Sequence, residues 1–168
     1  MDIIDRRRSV RSYQNREVEP EKIEKLLRAA MQAPSAGNQQ PWEFLVVQDP
    51  DTLQRLSSVS PYTGHVARAP LAIVLLGSMA HLRFPESWEQ DLGAAAENLL
   101  LEAVNQGLGA VWAGIHPFAE RVDAVRELFS LPPELMPFAI IAVGYPEKAD
   151  ANHFIDRYDP SRVHYETL

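Results

Sequence analysis

Ala33-Pro34-Ser35-Ala36-Gly37-Asn38-Gln39-Gln40-Pro41-Trp42 carries no acidic or basic side chain and almost no large aliphatic one. Two prolines bracket it, and the apolar run Phe44-Leu45-Val46-Val47 follows. Proline fixes φ and Gly37 permits unusual backbone angles, so the stretch predicts a loop of set shape entering a strand. Its Ser, Asn and Gln side chains are neutral donors and acceptors, suited to the polar edge of a flat heteroaromatic ligand. An ordinary helix-to-strand connection rich in turn formers would look the same, and both readings stand at this level.

Upstream, Glu19-Pro20-Glu21 opens a helix with Pro in the first turn and acids at its positive end. Ile23, Leu26, Leu27, Ala30 and Met31 mark its buried face. Further upstream, Asp2 to Arg8 predicts a short helix with Ile3 and Ile4 inward. It overlaps Arg6-Arg7-Arg8-Ser9-Val10-Arg11, with four arginines in six residues of an otherwise acidic chain. Such charges repel one another, so the segment is either a solvated basic arm or an anion site.

Downstream, Trp42–Val47 reads as a strand, and Asp49-Pro50 caps a short helix bearing Leu53, Leu56 and Val59. Residues 61–69 read as a loop, and Leu71–Leu76 as a strand covered on both faces. Ser87-Trp88-Glu89-Gln90 matches a capping box and Gly107 a helix stop. The polar residues of the helix between them, Glu97, Asn98, Glu102, Asn105 and Gln106, take only about half of the wheel. The apolar arc exceeds one sheet face, as expected of a central core helix, a subunit interface, or both. Leu108–Ile115 reads as a strand, Arg121–Phe129 as a helix and Phe138–Val143 as the last strand. A polar tail with Arg157 follows. Helices and strands without regular βαβ alternation predict a single α+β domain over residues 1–168.

The 168 residues hold 16 Lys+Arg against 23 Asp+Glu, a net charge of -7 that opposes nucleic-acid binding. There is no cysteine, and the five histidines are dispersed, so neither a thiolate nor a metal site is expected. Gly107-Leu108-Gly109 follows a helix and precedes a strand, the reverse of the dinucleotide-binding order. The start lacks the apolar stretch of a secretory leader, and no run approaches a membrane span; a cytoplasmic protein is expected. With no reactive side chain in a recognisable frame, the chemistry points to a cofactor. An arginine cluster for a phosphate and a neutral polar loop for a flat ring together suit flavin mononucleotide (FMN).

Those two segments resemble motifs of the nitroreductase-like family of FMN-dependent oxidoreductases: Arg7-Arg8-Ser9-Val10-Arg11, and Pro34-Ser35-Ala36-Gly37-Asn38-Gln39-Gln40-Pro41-Trp42. The order of the Ala-rich helix, Gly107-Leu108-Gly109, Gly114, Val143-Gly144-Tyr145-Pro146 and a C-terminal arginine is similar too. The resemblance implies a mostly antiparallel sheet flanked by helices, in an intertwined homodimer with two shared FMN sites. Arg7, Arg8, Ser9 and Arg11 of one chain would meet the flavin phosphate, ribityl chain and pyrimidine edge, with Arg11 stabilising the reduced ring. Pro34, Ser35, Asn38 and Gln40 would come from the other chain. Ala113 and Gly114 would lie against the ring, and Arg157 would close on the phosphate.

The implied reaction is ping-pong. NADH or NADPH gives a hydride to flavin N5 and leaves, and a small-molecule acceptor such as a nitroaromatic or quinone takes its place. A flavin-binding or flavin-consuming relative, or a sensor without nicotinamide turnover, is the alternative. The chain is short for the family, leaving residues 61–65, 81–85 and 116–118 as rims.

Overall fold

The computed structural model describes residues 3–167. Four strands, β1 (Trp42–Val47), β2 (Leu71–Ser78), β3 (Gly109–Gly114) and β4 (Leu135–Gly144), form one sheet in the order β1-β2-β4-β3. All three pairings are antiparallel, which makes the protein α+β. β2 and β4 are central, and nearly all of their residues are buried, as their unbroken apolar runs require. β4 begins at Leu135, three residues before the predicted strand. An irregularity between Leu75 and Leu76 lets Pro137 enter the ladder there.

Helices cover both faces. On one lie α2 (Pro20–Met31) and α4 (Trp88–Asn105), packed with Leu71, Ile73, Leu75, Ile141 and Val143. On the other lie α3 (Pro50–Leu56) and α5 (Ala119–Phe129), packed with Ala72, Val74, Ile140 and Ala142. Alternate strand residues thus feed two cores, and each fully buried Leu or Ile stabilises the fold by ~1.5–3 kcal/mol. α2 lies along α4: Asn98 Nδ2 donates to Ala29 O at 3.1 Å, and Lys22 Nζ to Gln106 O at 2.8 Å.

Several expectations change in detail. α1 (Ile3–Arg6) forms, but Ile4 is 63% exposed rather than inward, and Asp2 lies outside the described residues. Asp49 caps α3 through Thr52 N at 2.9 Å, yet that helix ends before Val59. Residues 64–68 of the expected loop form a 3-10 turn. Ser87 makes no side-chain cap bond, because a 3-10 turn over Pro85–Ser87 leads into α4 with Ser87 already in helical geometry. The wide apolar arc of α4 is largely consumed within the chain: Ala95 and Ala96 are fully buried against the sheet. Those two positions belong to the core helix; only Gly93, Ala94 and Leu101 of the apolar side remain part-exposed.

Candidate functional site

The polar loop is held from α4. Asp91, 5% exposed, accepts from Ala36 N at 2.8 Å and from Gln39 Nε2 at 2.6 Å. Gln39 also grips Phe84, taking its N–H at 2.9 Å and donating to its carbonyl at 3.1 Å. Gly37, Asn38 and Gln40 all have positive φ, 55°, 54° and 48°. A Cβ on Gly37 would also stand 2.4 Å from the Phe84 ring, so only glycine fits. Gln40 N donates to Ser35 Oγ at 3.0 Å, and Gln40 Nε2 to Asn38 Oδ1 at 2.9 Å. Pro34, Asn38 and Gln40 are exposed and Ser35 part-buried, so the loop presents a rigid row of neutral polar groups outward.

The arginine segment is strapped along the free edge of β3. Ser9 bridges Ala110 in parallel, and Val10 N donates to Ala110 O at 3.0 Å. Val10 approaches so closely that a Cβ on Gly109 would meet it at 2.7 Å, which explains the glycine there. Arg7 and Arg8 then line a cavity of about 400 Å³ together with Glu97, Asp156 and Arg157. Arg7 Nε lies 3.5 Å from Glu97. Arg8 donates to the carbonyls of Arg7 and Asp5, while its Nε is buried with no partner. Desolvation, then the neighbouring Arg157 and Arg7 charges, push the Arg8 pKa below its ordinary value. Arg157 is exposed and makes no hydrogen bond or ion pair among the described residues. Ser9 and Arg11 instead line a neighbouring recess with Lys148, where Arg11 makes a single long bond to Ser9 O at 3.4 Å.

The chain therefore brings Arg7, Arg8 and Arg157 together from its two ends. It keeps Pro34, Ser35, Asn38 and Gln40 together elsewhere, with no hydrogen bond or ion pair joining the groups among the described residues. The two attach to α4 six residues apart, at Asp91 and Glu97, ~9 Å along its axis and on different sides. Ala113 and Gly114 end β3, where Gly114 O accepts from Arg121 Nη1 at 2.9 Å. Sequence reasoning missed Asp91. Its signal was an acid directly before Leu92, on the apolar side of α4, whereas Glu89 of the same turn is half-exposed. Glu97, counted only as a polar residue of the outer face, is the partner of Arg7.

The cavity sets Arg7, Arg8 and Arg157, with one orphaned guanidinium nitrogen, against Asp5, Glu97 and Asp156. The residues present fit a phosphate, and the neutral loop fits the edge of a ring.

A layered α+β fold of this topology, with a basic strap on one sheet edge and a rigid polar loop, narrows the family. The Nitroreductase family model matches residues 4–60 and 57–145, and the chain belongs to that family. It is 42% identical over 166 residues to a protein of Methanothermobacter thermautotrophicus provisionally named NADH dehydrogenase/NAD(P)H nitroreductase, covering 99% of this chain and 86% of that one. A crystal structure of a provisionally named NADH oxidase from Clostridium acetobutylicum superposes with a TM-score of 0.97. That pair is 55% identical, over 99% of this chain and 100% of the other. An FMN-dependent nitroreductase from Clostridium difficile R20291 is 30% identical with a TM-score of 0.90, covering 99% of this chain and 98% of its own. No described helix is long and apolar enough to cross a membrane.

Proposed function

We propose that this chain is an FMN-dependent NAD(P)H oxidoreductase, working as one FMN-binding domain in a homodimer with shared sites. The observation that carries the reading is the convergence of Arg7, Arg8 and Arg157 on one cavity, in a chain of this family. A bound flavin would supply the redox chemistry, taking a hydride from NADH or NADPH and giving the reducing equivalents to a nitroaromatic, quinone or similar small acceptor.

The protein's own contribution is to bind and orient. Arg7, Arg8 and Arg157 hold the phosphate by charge-assisted hydrogen bonds, each worth ~1.5–3 kcal/mol. Ser9 and Arg11 face the ribityl chain and pyrimidine edge. Arg11 supplies positive charge where negative charge develops on reduction, the logic of an oxyanion hole. Ala113 and Gly114 offer backbone with little side chain for the ring to lie against. Pro34, Ser35, Asn38 and Gln40 come from the second chain, since each chain presents two incomplete halves that an isologous dimer would complete.

The purified protein should be yellow, and denaturation should release about one FMN per chain. Anaerobic NADH or NADPH should bleach it, with a suitable acceptor restoring the colour. A colourless protein that refuses added FMN overturns the reading. A flavin spectrum indifferent to both nicotinamides would leave a binder or sensor instead.

A further inference from the structure

Two residues past Gly114, His116 stands at the end of β3 with its ring packed edge-on against Trp88, centroids 4.8 Å apart. Its backbone N donates to Phe138 O at 3.0 Å, fixing the turn. The ring is 20% exposed, yet Nδ1 is buried and has no hydrogen-bond partner. The exposure therefore falls on the edge that bears Nε2. Nδ1 faces a carboxylate: Glu89 Oε2 lies 3.5 Å away. Glu89 is in the first turn of α4, two residues before Asp91, which anchors the polar loop. At the same strand end Arg121 of α5 has its guanidinium committed to Gly114 O and stacked on the Phe118 ring at 3.9 Å. The pair thus stands beside the end of β3, where Ala113 and Gly114 would meet the ring.

An imidazolium with its inner N–H toward a carboxylate presents its outer N–H, on Nε2, to solvent. Packing on Trp88 alone would not require an acid beside the buried nitrogen. We infer that His116 is the proton donor to the electron acceptor, and that Glu89 is its positioning residue. The inference rests on the oxidoreductase reading above. A quinone-type acceptor gains a hydride from the reduced cofactor and one proton from His116 Nε2 at a carbonyl oxygen. Two electrons and two protons have then been added, hydroquinone leaves, and the neutral imidazole regains its proton from water. Nothing else is consumed.

The test separates the half-reactions by anaerobic stopped flow. In His116→Gln, the rate of reoxidation by a quinone, taken relative to the rate of bleaching by NAD(P)H, should fall ~10²-fold or more. In Glu89→Gln, the same relative reoxidation rate should fall by a smaller factor, because the ring has lost the carboxylate that orients it, and Glu89→Asp should restore most of it. Without turnover, the NMR contact between the His116 and Trp88 rings, whose centroids lie 4.8 Å apart, should weaken in Glu89→Gln as the ring loses its fixed orientation. Should His116→Gln fail to fold, the half-exposed Glu89 variant carries both remaining readouts. Unchanged relative reoxidation in His116→Gln, or an unmoved His116–Trp88 ring contact in Glu89→Gln, overturns this inference alone. Protein that takes up no FMN, or never bleaches, overturns the parent reading instead.

Discussion

Asp91 and Gln39, 52 positions apart, meet in a 2.6 Å hydrogen bond that fastens the polar loop to the first turns of α4. The acid is 95% buried and also accepts from Ala36 N, so it replaces water for two donors at once. Removing it leaves both donors short of a partner, and hydrogen bonds to a charged group are worth ~1.5–3 kcal/mol each. Asp91→Ala should therefore lower thermal stability by at least one such bond and lose FMN. Gln39→Leu should do less, because Ala36 keeps its acceptor. Calorimetry with measurement of released flavin decides; full stability and full flavin content in Asp91→Ala would mean that the loop is anchored elsewhere.

A second prediction follows from the competition around Arg7. Its guanidinium lies 3.5 Å from Glu97, whereas Arg157 has no such partner. Arg157→Ala should weaken FMN binding ~10-fold or more, and Arg7→Ala should cost less, since part of its charge is already answered. Glu97→Gln should tighten FMN binding. Riboflavin has no phosphate, so its affinity should change little in all three. Fluorescence titration of the apoprotein measures each; equal losses for both ligands would assign the arginines to the fold.

The main elements could be read from the sequence because each depends on local pattern. Val74 and Leu75 sit in an apolar run, Ile23 and Leu26 at helical spacing, and Gly107 just past a helix. The polar loop was legible as a loop for the same reason, from Pro34, Gly37 and Pro41. What holds it was not, since Asp91 acts across more than fifty residues and one acid among several on a helix has no periodic signature. The fate of Ala95 and Ala96 was hidden for a different reason. Small residues suit both a sheet face and a second chain, and only the register of α4 on the strands chooses. Pairing of Arg8 with Arg157 likewise depends on where an irregular tail returns.

The third prediction is a pH dependence. Glu19 accepts from Tyr145 Oη at 2.7 and 3.0 Å and from Arg16 at 2.7 Å, tying the start of α2 to the chain just past β4. The Tyr145 hydroxyl, followed by a backbone hydrogen bond and Arg16, holds the Glu19 carboxyl down at about 2, from an ordinary 4.5. A pKa depressed in the folded state contributes stability that is fully present above the unfolded value and is lost as pH falls through the folded one. Tyr145→Phe should therefore melt below wild type at pH 7, and the gap should narrow as pH drops from about 4.5 toward 2. A gap of constant size across that window would show that Tyr145 acts by packing alone, through the Arg16 and Lys22 cations over its ring.

The last prediction concerns the origin of each site. Among the described residues of one chain, no hydrogen bond or ion pair joins the Arg7 cavity to the Asn38 loop, and the two attach to different sides of α4, at Glu97 and Asp91. If a complete site takes Arg7 from one chain and Asn38 from its mate, then Arg7→Ala and Asn38→Ala homodimers each carry one lesion in both sites. Conditions are chosen in which each homodimer is nearly inactive, and the two are unfolded, mixed and refolded with different tags. A heterodimer then has one site with both lesions and one with neither. Random pairing makes about half of the dimers mixed, so activity should return to about one quarter of wild type when dimerisation is symmetric. Were both residues to serve a site from the same chain, every site in the mixture would keep a lesion. Tagged heterodimers that recover no activity would rule out the shared site.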